Sequence, residues 1–192
     1  MPRLYQPSLA SNRIDVRQME PADEAVFRRL YTEVREPELR LTGWPAEEKQ
    51  RFCDMQYSLQ DEHYRRHYAD FEPWAICKSG VVTGRLYLAT FDGVLILMDI
   101  TLAASERGKG TGTALLQDIL SQADSRQLEM RLHVEPDNPA RRLYQRMGFV
   151  DIGQAGIYQE MQRFPPAARD GPAIRQHTAS AVTPAENGGD EG

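Results

Sequence analysis

The chain has two cysteines in 192 residues, Cys53 and Cys77, set far apart and in no spacing that a metal finger or a dithiol redox pair requires. That scarcity excludes a disulfide-stapled fold and leaves two thiols expected to be free, which fits a reducing cytoplasm. Basic charge is also short: 23 Lys and Arg against 28 Asp and Glu give a formal net charge of -5. A general nucleic-acid binder carries the opposite excess. Long apolar runs are missing too. The longest, from Gly93 toward Ala104, is broken by Asp99 and is too short to cross a bilayer. The start, Met1-Pro2-Arg3-Leu4-Tyr5, has no apolar signal core. Neither nucleic acid nor membrane is expected as a partner, and no internal repeat is visible.

What is present is an ordinary globular composition, 41% hydrophobic and 27% charged, long enough for one sizeable core. Ile14 to Met19 reads as a first strand. Pro21 opens a helix with Phe27, Leu30 and Val34 on one face, and Pro37 is expected to limit it. Pro45 suits the first turn of a longer helix reaching about Tyr68, with Phe52, Met55 and Leu59 facing inward. Trp74 to Lys78 and Val81 to Thr90 are expected strands joined at Ser79-Gly80. Phe91-Asp92-Gly93 is a second turn signal, so an antiparallel meander should lead into Val94 to Leu102. That third segment is nearly continuous apolar sequence, as a strand covered on both faces would be.

A helical stripe follows at Leu115, Leu116, Ile119, Leu120 and Ala123. In Leu128 to Val134, the residues Leu128, Met130, Leu132 and Val134 share one face, while Glu129, Arg131 and His133 share the other. Asn138 is a good N-cap, Pro139 a good first helical residue and Gly148 a good stop. Ile157 to Phe164 alternates as a last strand. These elements predict an α/β fold with a mixed, mainly antiparallel central sheet flanked by helices, over residues 1–164. Residues 165–192, rich in Pro, Ala, Gly and Thr, bury too little apolar surface to offset their ordering entropy and are expected to be a disordered tail.

The chemistry concentrates between Asp99 and Phe149. The apolar strand empties into Glu106-Arg107-Gly108-Lys109-Gly110-Thr111-Gly112, and a helix comes next. Backbone N–H groups at such a helix start point outward unpaired, and the helix dipole favours anions there. Glycines allow a phosphate to come close, and Arg107 and Lys109 add positive charge. The spacing is wrong for a Walker loop, which needs four residues between its glycines. It also breaks the Gly-x-Gly-x-x-Gly dinucleotide fingerprint. Arginines crowd nearby at Arg141, Arg142 and Arg146, a local basic cluster suited to a small anionic ligand.

Arg107-x-x-Gly110-x-Gly112, followed in register by Asn138-Pro139-Ala140-Arg141-Arg142-Leu143-Tyr144, resembles the GNAT family of N-acetyltransferases, which move an acyl group from acyl-CoA to an amine. The resemblance covers about Ile14 to Phe164. It implies a splayed pair of strands, Val94–Leu102 and Leu128–Val134, holding the pantetheine arm of acetyl-CoA between them. Backbone groups at Ile100 and Leu102 would bond that arm. Residues Arg107, Gly108, Lys109, Gly110, Thr111, Gly112 and Thr113 would hold the pyrophosphate. Asn138 and Arg141 match positions that often contact the pantetheine or phosphate end.

Transfer to an amine needs the amine deprotonated, the carbonyl oxygen's developing charge stabilised and the leaving thiolate protonated. A lysine-like amine has a pKa near ~10.4, so a base is favoured. The resemblance implies Tyr144 as the acid, close to the thioester sulfur, and a backbone N–H near Leu102 as the oxyanion donor. For the base two residues stay open. His133 has an imidazole suited to the task; Asp99 sits inside an apolar strand, where an acid requires a partner or a raised pKa. The acceptor, a small molecule or a protein amine, is not specified. His63 and His67, four apart on a helix, lack a third metal ligand, so no metal is expected. Tyr57, Tyr64, Tyr68 and Asp61, with Trp44, Glu36 and Glu38, are expected to roof the acceptor pocket. The rival to an enzyme is an acyl-CoA-binding or interaction module on the same scaffold, without turnover.

Overall fold

The computed structural model describes residues 5–7 and 14–166. The expected tail therefore lies outside the described residues, apart from residues 165 and 166. Four strands form the first half of the sheet: β1 (Ile14–Gln18), β2 (Glu72–Lys78), β3 (Val81–Phe91) and β4 (Val94–Leu102), each antiparallel to the next. Both hairpin turns, Ser79-Gly80 and Asp92-Gly93, have φ between 50° and 80° at each central residue. Two-residue hairpins need that left-handed geometry to match strand twist.

β4 then pairs parallel with β5 (Met130–Val134), through a crossover that contains α3 (Thr111–Ser125). β5 pairs antiparallel with β7 (Tyr158–Arg163), and β6 (Val150–Ala155) forms the far edge. The strand order is β1-β2-β3-β4-β5-β7-β6. This is the mixed, mainly antiparallel α/β architecture expected. Alternation along β2 assigns the two faces. Trp74 and Ile76 join Leu115, Leu116 and Ile119 of α3, with Tyr144 of α4 (Ala140–Arg146). Ala75 and Cys77 join Phe27 and Leu30 of α1 (Glu24–Leu39), with Cys53 and Tyr57 of α2 (Ala46–His67). Both thiols are free and buried. Among the described residues no helix is long and apolar enough to cross a membrane.

Several local expectations are corrected. α1 runs through Pro37 to Leu39; the missing N–H costs little there because few helical bonds remain to be made beyond it. The inward stripe of α2 is Cys53, Gln56, Tyr57 and Tyr64, whereas Met55 and Leu59 are about half exposed. Val34 also points away from the core. β6 was not expected. It is an edge strand with almost every residue exposed; its apolar alternation is confined to Val150 and Ile152 and stops at Gly153. The last strand starts at Tyr158, because Gly156, at φ 59°, makes the preceding turn.

Two irregularities open the middle of the sheet. The β3–β4 register places Tyr87 opposite Asp99 but Leu88 opposite Leu97, leaving Met98 as an extra residue on β4. Such a bulge bends its strand. β4 and β5 pair only from Leu95 to Leu97 with Met130 to Leu132; beyond the bulge they part. Gly84 on β3 lies behind this region. A Cβ there would stand 2.6 Å from the Thr101 carbonyl oxygen and 2.8 Å from the Leu102 side chain, so only glycine permits the close approach.

Candidate active site

A cavity of about 690 Å³ fills the fork between β4 and β5. Its walls take in Asp99, Ile100 and Leu102 from β4, His133 from β5, Gly112 from α3 and Tyr144 from α4. Most residues picked out from the sequence therefore meet in one place. The backbone of β4 contributes as well. Antiparallel ladders alternate between bonded and non-bonded residue pairs. Ala103 N–H donates to the Thr83 oxygen at 2.8 Å, and Thr101 sits two residues away opposite Arg85. Ile100 and Leu102 are thus the alternate residues, whose peptide groups turn away from β3 and toward the fork.

The glycine-rich turn lies at the mouth. Gly108 and Gly110 have φ of 72° and 84°, a backbone region that disfavours any side chain. A Cβ on either would meet nothing within 4 Å, so the space in front of them is open. Gly110 caps α3, and the next N–H groups lack partners within the helix. The nearby charges are already partnered. Arg107 Nε donates to the Leu102 carbonyl oxygen at 2.8 Å, and its Nη2 lies 3.3 Å from Glu33. Lys109 lies 3.2 Å and Lys78 2.5 Å from the buried Glu106. The Lys78 ammonium beside Glu106 holds that carboxyl below its usual range.

On the opposite wall, Asn138 Oδ1 accepts from Ala140 N–H at 2.9 Å, the capping bond its position suggested. Arg141 does not join the cavity; it pairs with Asp151 of β6 at 2.6 Å. Tyr144 is 8% exposed, held edge-on against Phe149 with ring centres 5.9 Å apart. Burial, then the negative charge of Asp99, pushes its phenol up to about 12. His133 is half-buried opposite Glu160 of β7. Burial lowers its pKa, Glu160 works against that, and Arg131 adds to the lowering. Asp99 has both oxygens engaged, Oδ2 by Arg85 Nε at 2.5 Å and Oδ1 by Thr101 Oγ1 at 2.9 Å.

The roof expected from the early helices is only partly present. Val34, Arg35 and Glu38 of the cavity lining come from α1 and Tyr158 from β7. Arg35 and Glu38 are ion-paired at 3.2 Å. Of the expected roof residues, Glu38 reaches the cavity, whereas Tyr57, Tyr64 and Tyr68 are packed in the core. Trp44 packs edge-on to Phe52, and Glu36 bonds Arg40. Sequence reading missed Arg35 and Tyr158, since nothing in their neighbourhoods departs from a plain helix or strand. It also missed Arg85, whose signal was available: a full charge in the middle of an apolar strand. His63 and His67 stack at 4.1 Å, and among the described residues no three metal-ligating side chains converge.

The profile of the acetyltransferase (GNAT) family matches residues 27–149. The chain belongs to the GNAT acetyltransferase family. Solved structures share its fold at low identity. The PaiA N-acetyltransferase of Thermoplasma acidophilum, in complex with coenzyme A, is 17% identical with a TM-score of 0.60, covering 79% of this chain and 98% of that one. An acetyltransferase from Streptococcus agalactiae is 14% identical with a TM-score of 0.60, covering 80% and 99%. A spermidine N-acetyltransferase SpeG chimera from Vibrio cholerae and hSSAT is 19% identical with a TM-score of 0.57, covering 83% and 100%. GNAT enzymes use acetyl-CoA as co-substrate. The residues present fit it: an open glycine cradle at a helix start for phosphates, and a fork lined by outward-facing peptide groups for the pantetheine amides.

Proposed function

We propose that the protein is an N-acetyltransferase that moves an acetyl group from acetyl-CoA to a primary amine by direct attack in a ternary complex. One observation carries the reading: the sheet opens at the Met98 bulge into a cavity that joins the glycine cradle to Tyr144 and His133. Acetyl-CoA, when bound, supplies an acetyl group activated as a thioester. Peptide groups of Ile100 and Leu102 align the arm, and the N–H near Leu102 stabilises negative charge developing on the carbonyl oxygen. Gly108 to Thr113, with Arg107 and Lys109, hold the pyrophosphate; Asn138 borders the arm. Arg141 reaches a phosphate by exchanging Asp151 for it.

Tyr144 keeps its proton at neutral pH, because burial and the Asp99 charge both oppose its loss, and it gives that proton to the departing thiolate. His133 stays neutral there for the complementary reason and takes the amine's proton, directly or through water. Asp99 is the less suited base, since Arg85 and Thr101 already occupy its oxygens. The acceptor is an amine, small or protein-borne; a relative named for spermidine supports the class. Two buried free thiols support a reducing compartment.

The test begins without an acceptor. Melting is followed with acetyl-CoA, CoA, ATP and NAD in parallel. Saturation a hundredfold over Kd adds about 2.7 kcal/mol, which is roughly 5–11 °C for a chain of this size. Thiol release from acetyl-CoA is then screened over a broad amine panel. A shift with the two CoA ligands and an acetylated amine is the expected result. No shift and no product would remove the transferase reading.

A further inference from the structure

Arg85 stands in the middle of β3, 4% exposed, between two apolar layers where a hydrocarbon side chain is the rule. Its guanidinium lies 5.1, 5.6 and 5.8 Å from the ring centres of Tyr87, Tyr31 and Tyr57. Nη1 is buried without a hydrogen-bond partner. Among the described residues, only Asp99 faces it with opposite charge at contact distance, 2.5 Å from Nε. Burial opposes the Arg85 charge, but Asp99 more than offsets this and raises its pKa.

Stability alone is a poor reason for this arrangement. Buried ion pairs recover their desolvation penalty badly, and apolar residues of similar volume often serve as well or better. A methionine would fill the slot among the three tyrosines. What the pair does possess is location. Asp99 is part of the cavity wall, whereas Arg85 sits behind it, outside the lining. Arg85 and Thr101 hold the carboxylate from two sides in one rotamer. Each oxygen keeps acceptor capacity beyond those two bonds, on a wall whose charge is felt at the Tyr144 phenol.

We propose that Arg85, though it touches no part of the cavity, positions the Asp99 carboxylate to hold the ammonium form of the acceptor amine. This rests on the acetyltransferase reading and divides the labour between two residues of the cavity wall: Asp99 draws the ammonium in, and His133 takes its proton. Arg85 is a positioning residue.

The experiment compares wild type with Arg85→Met, Arg85→Lys, Asp99→Asn and the double variant Arg85→Met/Asp99→Asn. Three quantities are read: the melting shift with acetyl-CoA, the KM values for acetyl-CoA and for the best amine of the panel, and that amine's calorimetric Kd in the presence of CoA. Arg85→Met is expected to keep the acetyl-CoA shift while amine affinity falls roughly tenfold or more, the scale of one charge-assisted hydrogen bond. Arg85→Lys recovers part of the loss. The double variant regains the melting temperature, because no unpaired carboxylate remains, but not the amine affinity. If Arg85→Met fails to fold, the lysine and double variants carry the test. Unchanged amine affinity in these variants, or a double variant that regains both quantities, overturns the inference and leaves the transferase standing. Wild type that neither shifts with acetyl-CoA nor acetylates any panel amine overturns both.

Discussion

Tyr144 of α4 and His133 of β5 line the same cavity, and burial moves their pKa values apart, one up and one down. That separation is what an acid and a base working together require. Tyr144→Phe keeps the ring and its edge contact with Phe149 but removes the proton. It is expected to lower kcat by about 10²–10⁴-fold while the acetyl-CoA melting shift stays as in wild type; steady-state thiol release beside a melting series checks it. For His133 the sign comes from its depressed value. The unfolded chain binds the proton more readily than the folded one, so His133 contributes stability that is present above 6.5 and lost as pH falls through its folded value. His133→Gln should flatten the melting temperature between pH 7 and 5, in comparison with wild type under identical buffers. His63, also depressed by burial, leaves a residual slope. Legibility at this scale depended on motif. Tyr144 could be named because its spacing from Asn138 is local. The Met98 bulge could not, since a bulge exists only in relation to the register of a second strand. Arg85 was visible as an anomaly, but its partner became visible only when β3 and β4 were paired.

The start of α3 is the element on which phosphate recognition turns. Gly110 and Gly112 are both glycines on one short stretch, yet they answer different needs. Gly110 sits at φ 84°, where any Cβ costs about 1–2 kcal/mol. Gly112 lies inside the first helical turn, and a Cβ there would meet only Leu102 Cδ1 at an ordinary 3.7 Å. Gly112→Ala should therefore stabilise the ligand-free protein by about 0.5–1 kcal/mol, whereas Gly110→Ala destabilises it. Both place a methyl group in the cradle, so both should shrink the shift produced by acetyl-CoA. Opposite movements of the free melting temperature with a shared loss of ligand shift would separate recognition from folding; an undiminished shift in Gly112→Ala would move the phosphates elsewhere. Elements with a buried face were the ones sequence revealed: β4 and the α3 stripe fall where their periodicity put them, and β5 starts two residues later than expected, at Met130 rather than Leu128. The exceptions are instructive. α2 buries polar-edged residues, Gln56 and three positions of tyrosine and cysteine, beneath a stripe that hydropathy assigned to Met55 and Leu59. β6 buries almost nothing, and the alternation of Val150 and Ile152, cut off at Gly153, is too short to mark a strand.

At the scale of the molecule, one sheet separates two cores, and the cavity lies where the sheet itself divides. Fold class and the strand succession from β1 to β5 were legible because meander turns and a crossover helix leave few topologies open; β6 was not. What ties Tyr5 and Gln6 into that plan was not legible. Tyr5 is 1% exposed, set edge-on to Trp74 with ring centres 5.5 Å apart, and its hydroxyl donates to Asp118 of α3. The backbone of Gln6 exchanges bonds of 2.9 and 2.7 Å with the Gln122 side chain. These contacts span more than a hundred positions, so no local pattern announces them. They clamp α3 to the sheet from the side away from the glycine cradle, because Asp118 and Gln122 lie beyond its first turns. Tyr5→Ala removes an aromatic from the core and should cost about 3–5 kcal/mol, a melting decrease of roughly 6–20 °C. Tyr5→Phe isolates the hydroxyl and should cost about 1–3 kcal/mol through the lost hydrogen bond to the Asp118 carboxylate. Because the clamp is remote from the fork, calorimetric affinity for acetyl-CoA, measured well below the lowered melting point, should match wild type in both variants. A loss of affinity in Tyr5→Phe, where packing is kept, would mean instead that the clamp sets the position of the α3 start, and that the phosphate cradle is assembled from both ends of the helix.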